Sequence, residues 1–271
     1  MSFLCLASRF DWNLCYFSNM NENSRHQIIK RLQVELPRGA PFDLAVLGRI
    51  GVSPRLAAHY AEAGWLTRLA QGVYAFPNDA FGVHGALALL RERVPGLHVG
   101  GKSALALQGV RHNLNSREAL VLWGDNRFSL PLWFTSRFPA RYVHAQLFEW
   151  PDSGLADETL GTPPGQPPDL LVSVPERAVL ELLYEVGVKQ SLEEARNLFE
   201  GLRSPRKDVL GQLLSCCTSV KAVRLLLAWA RETGMVDVDV LLARYPARTG
   251  SAKRWMSRLD DGTLLSLKPH G

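Results

Sequence analysis

Apolar residues begin to recur once per helical turn at Ser24, with Ile28, Ile29, Leu32 and Leu36 on one side and Pro37-Arg38-Gly39 as the stop. A second, shorter helix follows. Asp43 is placed to accept hydrogen bonds from its free first-turn amides, Leu44, Leu47 and Ile50 form its inner face, and Gly51 ends it in the left-handed conformation that glycine adopts without cost. A third helix opens at Ser53, another good cap, with Pro54 where a missing N–H costs nothing. Leu56, Ala57, Tyr60 and Ala61 point inward, and Gly64 closes it. The stretches Leu66 to Ala70 and Val73 to Phe76, turning on Gln71-Gly72, read as a hairpin.

Three helices and a hairpin, with a short glycine-containing turn between helices two and three, give the order of a winged helix-turn-helix over residues 21–79. Small residues let the two helices cross closely, so that the third projects outward. Its outer face carries Arg55, His59 and Glu62, while Arg68 and Gln71 fall on the hairpin. Ser53, Arg55, His59, Arg68 and Gln71 are the candidate DNA contacts, Arg55 and His59 toward base edges and the others toward phosphates. An ordinary helical lobe with a solvated face fits the same pattern.

Beyond Pro77 the pattern changes, and residues 80–271 are expected to form a second domain of mixed strands and helices. A helix over about 82–94, a strand at 97–99 and a helix opening at Ser103 are followed by strands at Leu120 to Trp123, Leu132 to Thr135 and Tyr142 to Phe148. Residues 151–169, with five prolines and three glycines, read as a loop without a core. Ser173 with Glu176 and Ser191 with Glu194 fit two capping boxes, each opening an amphipathic helix. Two further helices, Arg206 to Cys217 and Ser219 to Thr233, precede a tail with strands around Ala252 to Met256 and Thr263 to Leu267. The fold class is therefore α+β.

Composition narrows the classes. With 46% apolar and 21% charged residues, the chain is globular rather than disordered or collagenous. No run approaches the roughly 18 uncharged apolar residues of a membrane span. Cys5, Cys15, Cys216 and Cys217 make no CxxC and no zinc spacing, which points to a reducing, cytoplasmic setting. Residues 1–20, aromatic-rich but broken by Arg9 and Asp11 and followed by Asn21, are expected to be an extension outside the fold; an ordered arm covering apolar surface is the alternative. The formal charge of +5 permits nucleic-acid binding without establishing it. Residues 201–271 hold twelve basic and six acidic side chains, so the excess gathers in the C-terminal segment.

One string invites a catalytic reading. Gly96-Leu97-His98-Val99-Gly100-Gly101-Lys102-Ser103 matches the phosphate-loop pattern GxxxxGK[ST], yet a helix end precedes it and its strand lies inside it, so its amides would be spent on a sheet. A turn needing two glycines and a serine cap accounts for it better; a nucleotide-binding protein using Lys102 and Ser103 is the enzymatic alternative. The histidines are dispersed, and Gly250-Ser251 with Asp260-Asp261 lacks the strand of alternate aspartates that metal-dependent transfer requires. Neither a metal nor a cofactor is expected. Lys221 and Arg224 share a helix face with Arg231 beyond, and Lys253 and Arg254 add charge nearby; this ridge is either solvated surface or a patch facing an anionic partner.

Taken in order, Leu47-Gly48-Arg49-Ile50-Gly51-Val52-Ser53, Gly64-Trp65-Leu66, Gly72-Val73-Tyr74, Gly100-Gly101-Lys102-Ser103-Ala104-Leu105 with Arg111-His112, Val174-Pro175-Glu176-Arg177-Ala178, and Phe199-Glu200-Gly201-Leu202-Arg203 resemble the AbiEi antitoxins. The likeness spans roughly residues 22–268. It implies a non-enzymatic protein whose N-terminal winged helix-turn-helix binds operator DNA, with inverted repeats expected, and represses its own operon. It also implies that the C-terminal domain opposes an AbiEii-like nucleotidyltransferase toxin in a type IV toxin-antitoxin pair acting in phage abortive infection. Lys221, Arg224, Lys253 and Arg254 are the toxin-control candidates; Ser251-Ala252-Lys253-Arg254 matches the family's glycine-lysine-rich strand only in part. A plain transcription regulator without a toxin is the alternative function.

Overall fold

The computed structural model describes residues 22–111, 119–151, 153–167, 170–251, 253–258, 262 and 264–267. The expected N-terminal extension and Asp260-Asp261 lie outside them. The chain divides into two compact units, one through Gly85 and one from Ala86 onward.

In the first unit, α1 (Glu22–Glu35) buries Leu32, and Leu36 follows it into the core. β1 (Phe42–Asp43) leads directly into α2 (Leu44–Arg49), whose first-turn amides of Ala45 and Val46 donate to the Asp43 carboxylate at 2.9 and 3.1 Å. After the turn at Gly51 (φ +85°), α3 (Pro54–Glu62) is capped by the Ser53 hydroxyl, which accepts from the Leu56 amide at 3.2 Å. β2 (Thr67–Ala70) and β3 (Val73–Ala75) form the hairpin, and β3 pairs on its other side with β1, giving an antiparallel sheet of order β1-β3-β2. Helices and sheet close over Phe42, Leu47, Ile50, Val52, Ala57, Tyr60, Leu66 and Phe76. The expected helices and hairpin are all present. β1 was not expected, because two residues are too few to show a period of two.

The chain enters the second unit along α4 (Val83–Arg93). β4 (His98–Val99), α5 (Gly101–Leu107) and β5 (Leu120–Gly124) come next, then a single turn of helix, α6 (Leu132–Thr135), and β6 (Ala140–His144). A short α7 (Ser153–Glu158), β7 (Leu160–Gly161) and β8 (Val172–Ser173) complete a mixed sheet of order β6-β5-β4-β8-β7, in which β5–β6 and β4–β8 are parallel. α8 (Pro175–Glu185) runs through the middle of this unit, buried at nearly every position, and α5 packs along it. α9 (Leu192–Glu200), α10 (Lys207–Cys216) and α11 (Val220–Thr233) also pack on α8; α12 (Val238–Arg244) and the hairpin β9 (Trp255–Arg258) and β10 (Leu264–Leu267) follow.

Several expectations are corrected here. Leu132 to Thr135 is helical rather than extended: the Pro131 carbonyl accepts from the amides of Phe134 and Thr135, closing a turn that buries both Trp133 and Phe134. The strand expected at Tyr142 to Phe148 runs instead from Ala140 to His144, where its pairing with β5 ends. Residues 151–169 are not coreless: α7 and β7 lie there, and Thr159 is fully buried with its hydroxyl donating to the Leu155 and Ala156 carbonyls. Ser173 and Glu176 form no capping box. Their side chains turn to partners distant in sequence, Ser173 to Glu181 and Glu176 to Arg206. Ser191 does cap α9, while Glu194 reaches Lys102 and Gln190 instead of returning to the cap. α12, capped by Asp237, was not expected in the tail.

The centre of this unit is a buried carboxylate. Glu181, on α8, accepts from the Gly101 amide (2.9 Å), from the Ser173 hydroxyl (2.8 Å) and from Arg177 Nε (2.9 Å), and its Oε1 lies 3.0 Å from His98 Nε2. Arg177 in turn reaches the Thr159 hydroxyl and stands over the rings of Phe148 and Trp150. Burial alone would raise the Glu181 carboxyl; His98, Arg177 and the Gly101 amide outweigh it and hold the group below the usual carboxylate range. Such a group adds stability at neutral pH that is lost as pH falls through its depressed folded value. Glu181→Gln should cost about 3–5 kcal/mol, since it leaves Arg177 buried without its counter-charge. Urea denaturation followed by circular dichroism should show that loss at pH 7, and a smaller gap between mutant and wild type in strong acid.

Candidate nucleic-acid interface

The inward face of α3 is fixed by Ala57 and Tyr60, which are buried, so helical periodicity leaves Arg55, His59 and Glu62 on the exposed side. The amides of Trp65 and Leu66 both donate to the Tyr60 carbonyl, which ties the end of α3 to the start of β2. Arg68, paired across the hairpin with Tyr74, and Gln71 at its tip are exposed. The ladder shifts register between Arg68 and Ala70, a bulge that increases the local twist. Ser53, Arg55, His59, Arg68 and Gln71 therefore all lie on α3 or the hairpin, Ser53 as the helix cap and the other four with exposed side chains.

Over residues 21–79 seven basic and five acidic side chains leave a formal +2. Glu35 is held by Arg31 on the same helix, Asp43 caps α2, and Asp79 accepts the Gly39 amide at 2.7 Å. Those three carboxylates serve internal contacts, and Glu62 is the acid on the outer face of α3. Two neighbouring side chains escape periodicity. Trp65 is 49% exposed just before β2, and the Arg38 guanidinium stacks 3.8 Å above the Phe76 ring. An aromatic residue directly after the terminating Gly64 was the signal for the first; nothing in the sequence marks the second.

The phosphate-loop string proves to be a filled cradle. Its Val99 and Gly100 amides donate to the Leu171 and Val121 carbonyls, its Gly101 amide to Glu181, and Lys102 pairs with Glu194 at 3.2 Å. An internal carboxylate thus occupies the place where a bound phosphate would gather amides. α5 opens at Gly101 rather than Ser103, and Ser103 caps nothing: its hydroxyl accepts from the Val121 amide at 2.9 Å. Gly100 is required there, because a Cβ would strike Glu181 and Trp123. Among the described residues no cluster of three or more His, Cys, Asp or Glu side chains is placed to hold a metal.

The expected basic ridge does not form. Arg224 is 2% exposed and points inward, donating to the carbonyls of Thr249 (2.6 Å), Ser251 (2.5 Å) and Lys253 (3.0 Å). Helical spacing placed it beside Lys221, but the returning C-terminal segment covers it. Lys221 is half-buried, Arg231 pairs with Asp239, and Lys253 and Arg254 are exposed. Cys216 and Cys217 are buried, with the Cys217 thiol pushed up to about 11 by desolvation, which leaves it inert.

Two family models together match nearly the whole chain: the AbiEi antitoxin N-terminal domain of transcriptional regulators over residues 25–116, and the AbiEi antitoxin transcriptional regulator of type IV toxin-antitoxin systems over residues 117–267. The chain belongs to the AbiEi family. Among curated proteins none matches the sequence. Among solved structures, the RV2827C protein from Mycobacterium tuberculosis is similar, with a TM-score of 0.53 at 16% identity over 86% of this chain and 88% of that one. At such identity the likeness concerns the fold, which this AbiEi chain shares as a mixed α and β architecture. No described helix is long and apolar enough to cross a membrane.

Removing the α3 cap isolates the local geometry of this AbiEi surface. Ser53→Ala should destabilise the first unit by about 1 kcal/mol, visible as a lower melting temperature in scanning calorimetry, and Ser53→Asp should restore it because aspartate caps equally well.

Proposed function

We propose that this AbiEi protein is an autorepressor and antitoxin. In this reading α3 enters the major groove of operator DNA, Arg55 and His59 meet base edges, and Ser53, Arg68 and Gln71 position the phosphates. The supporting observation is the exposure of Arg55, His59, Arg68 and Gln71 on α3 and one hairpin while the carboxylates of Glu35, Asp43 and Asp79 are engaged elsewhere. Two copies on inverted repeats give the two-fold arrangement that such operators require.

The second unit counteracts a nucleotidyltransferase-like toxin in this proposal, with Lys253, Arg254 and Lys221 as the side chains to test. Arg224 acts at one remove, by holding the segment that carries Lys253. A plain regulator without a toxin is distinguished by gene neighbourhood: an adjacent nucleotidyltransferase-like reading frame whose toxicity the protein relieves favours the antitoxin.

Fluorescence anisotropy on the DNA upstream of its own operon tests the repressor. Arg68→Ala should weaken binding at all sequences and lower the slope of log affinity against log salt by about one, whereas Arg55→Ala should cost about 1–3 kcal/mol and relax sequence preference. Full repression of an operon reporter by the chain with both Arg55→Ala and Arg68→Ala would overturn the assignment.

A further inference from the structure

The free edge of the second unit's sheet is not flat. β6 is the terminal strand, and along it runs a groove of about 510 Å³ bounded by Arg141 to His144, by Tyr184 to Lys189 at the end of α8, and by Lys221 on α11. That volume falls in the range of sites for small ligands, roughly 300–1,000 Å³.

Its chemistry is cationic. Three cations, Arg141, Lys189 and Lys221, face a single carboxylate, Glu185. Arg141 neutralises that carboxylate through a two-pronged ion pair, the second contact at 2.7 Å. Two positive charges are left over. Lys189 is exposed, but Lys221 is not: its ammonium donates to the Val186 carbonyl at 2.7 Å and sits 5.7 Å from the Tyr184 ring centre, and among the described residues no carboxylate lies within ion-pair distance of it. Desolvation lowers its pKa, only partly countered by Glu185. A half-buried ammonium that retains spare donors and lacks a contacting counter-ion is a costly arrangement unless an anion completes it. The wall on the α8 side adds an aromatic surface, Tyr184.

We propose that this groove binds a small phosphorylated ligand carrying a planar ring, of the nucleoside monophosphate class. The phosphoryl oxygens take the free donors of Lys221 and Lys189, and the ring lies against Tyr184. This site is separate from the filled cradle at Gly96 to Ser103 and independent of DNA binding by α3.

Isothermal titration of the full chain with AMP, GMP, CMP, inorganic phosphate and adenosine tests it. At least one nucleotide should bind once per chain with a dissociation constant below about 1 mM, and phosphate or nucleoside alone about tenfold or more weaker. Lys221→Gln keeps a donor for Val186 and should lose about tenfold in affinity, as should Lys189→Gln, an exposed change that leaves folding intact. Lys102→Ala should bind like the wild type. Absence of binding by all three nucleotides, affinity unchanged in both lysine variants, or binding of a poly-glutamate peptide where nucleotides fail would each overturn the proposal, the last by making the groove a protein-docking edge.

Discussion

The second unit is organised around one buried negative charge. Glu181 sits on α8, yet its four contacts come from β4, β8, the opening of α5 and its own helix, so a single carboxylate sets the spacing among elements more than 80 residues apart. Desolvating such a group is expensive, and the cost is met only when every donor is in place. The elements that supply those donors are short: β4 and β8 have two residues each, too few to define their own alignment by pairing alone. Donors aimed at one point provide the register that the strands lack. Gly100 and Gly101 belong to the same device, the first by leaving room for the carboxylate and the second by adopting φ +54° as its amide turns inward.

The first unit solves a different problem with different means. Among its described residues there is no comparable buried charge; its helices are set by short-range caps at Asp43 and Ser53 and by a core of aliphatic and aromatic residues. A scaffold fixed by local contacts sets the outer face of α3 without help from distant segments. The two units thus differ in what fixes them, local caps and a small apolar core in the first and contacts between distant segments in the second.

That division explains which features were legible in the sequence. The helices and hairpin of the first unit follow from periodicity and capping residues, and so does the outer face of α3, because what is not core on a helix is exposed. In the second unit the same local rules failed where distant partners compete. Ser173 and Glu176 have the spacing of a capping box, but Glu181 and Arg206 offer charged partners that a reciprocal cap cannot match. Trp133 and Phe134 are adjacent apolar residues that suggest a strand, whereas the Pro131 carbonyl, accepting from the next turn's amides, winds the segment into a helix. Arg224 shows the limit most plainly: its helical position was read correctly, whereas its solvent exposure depended on a segment 25 or more residues away. The groove beside β6 draws on three separate stretches of chain, so no spacing rule assembles it.

Arg224 also bears on how this molecule tolerates shortening. Its guanidinium is satisfied by main-chain oxygens of Thr249, Ser251 and Lys253, and among the described residues no side-chain carboxylate shares the task. Substituting the side chains of that stretch leaves its acceptors in place; deleting the stretch strips a nearly inaccessible cation of all three at once. Trimming the tail is therefore a disturbance of the helical interior, felt through α11, and a clipped form that loses activity speaks first to the integrity of that helix.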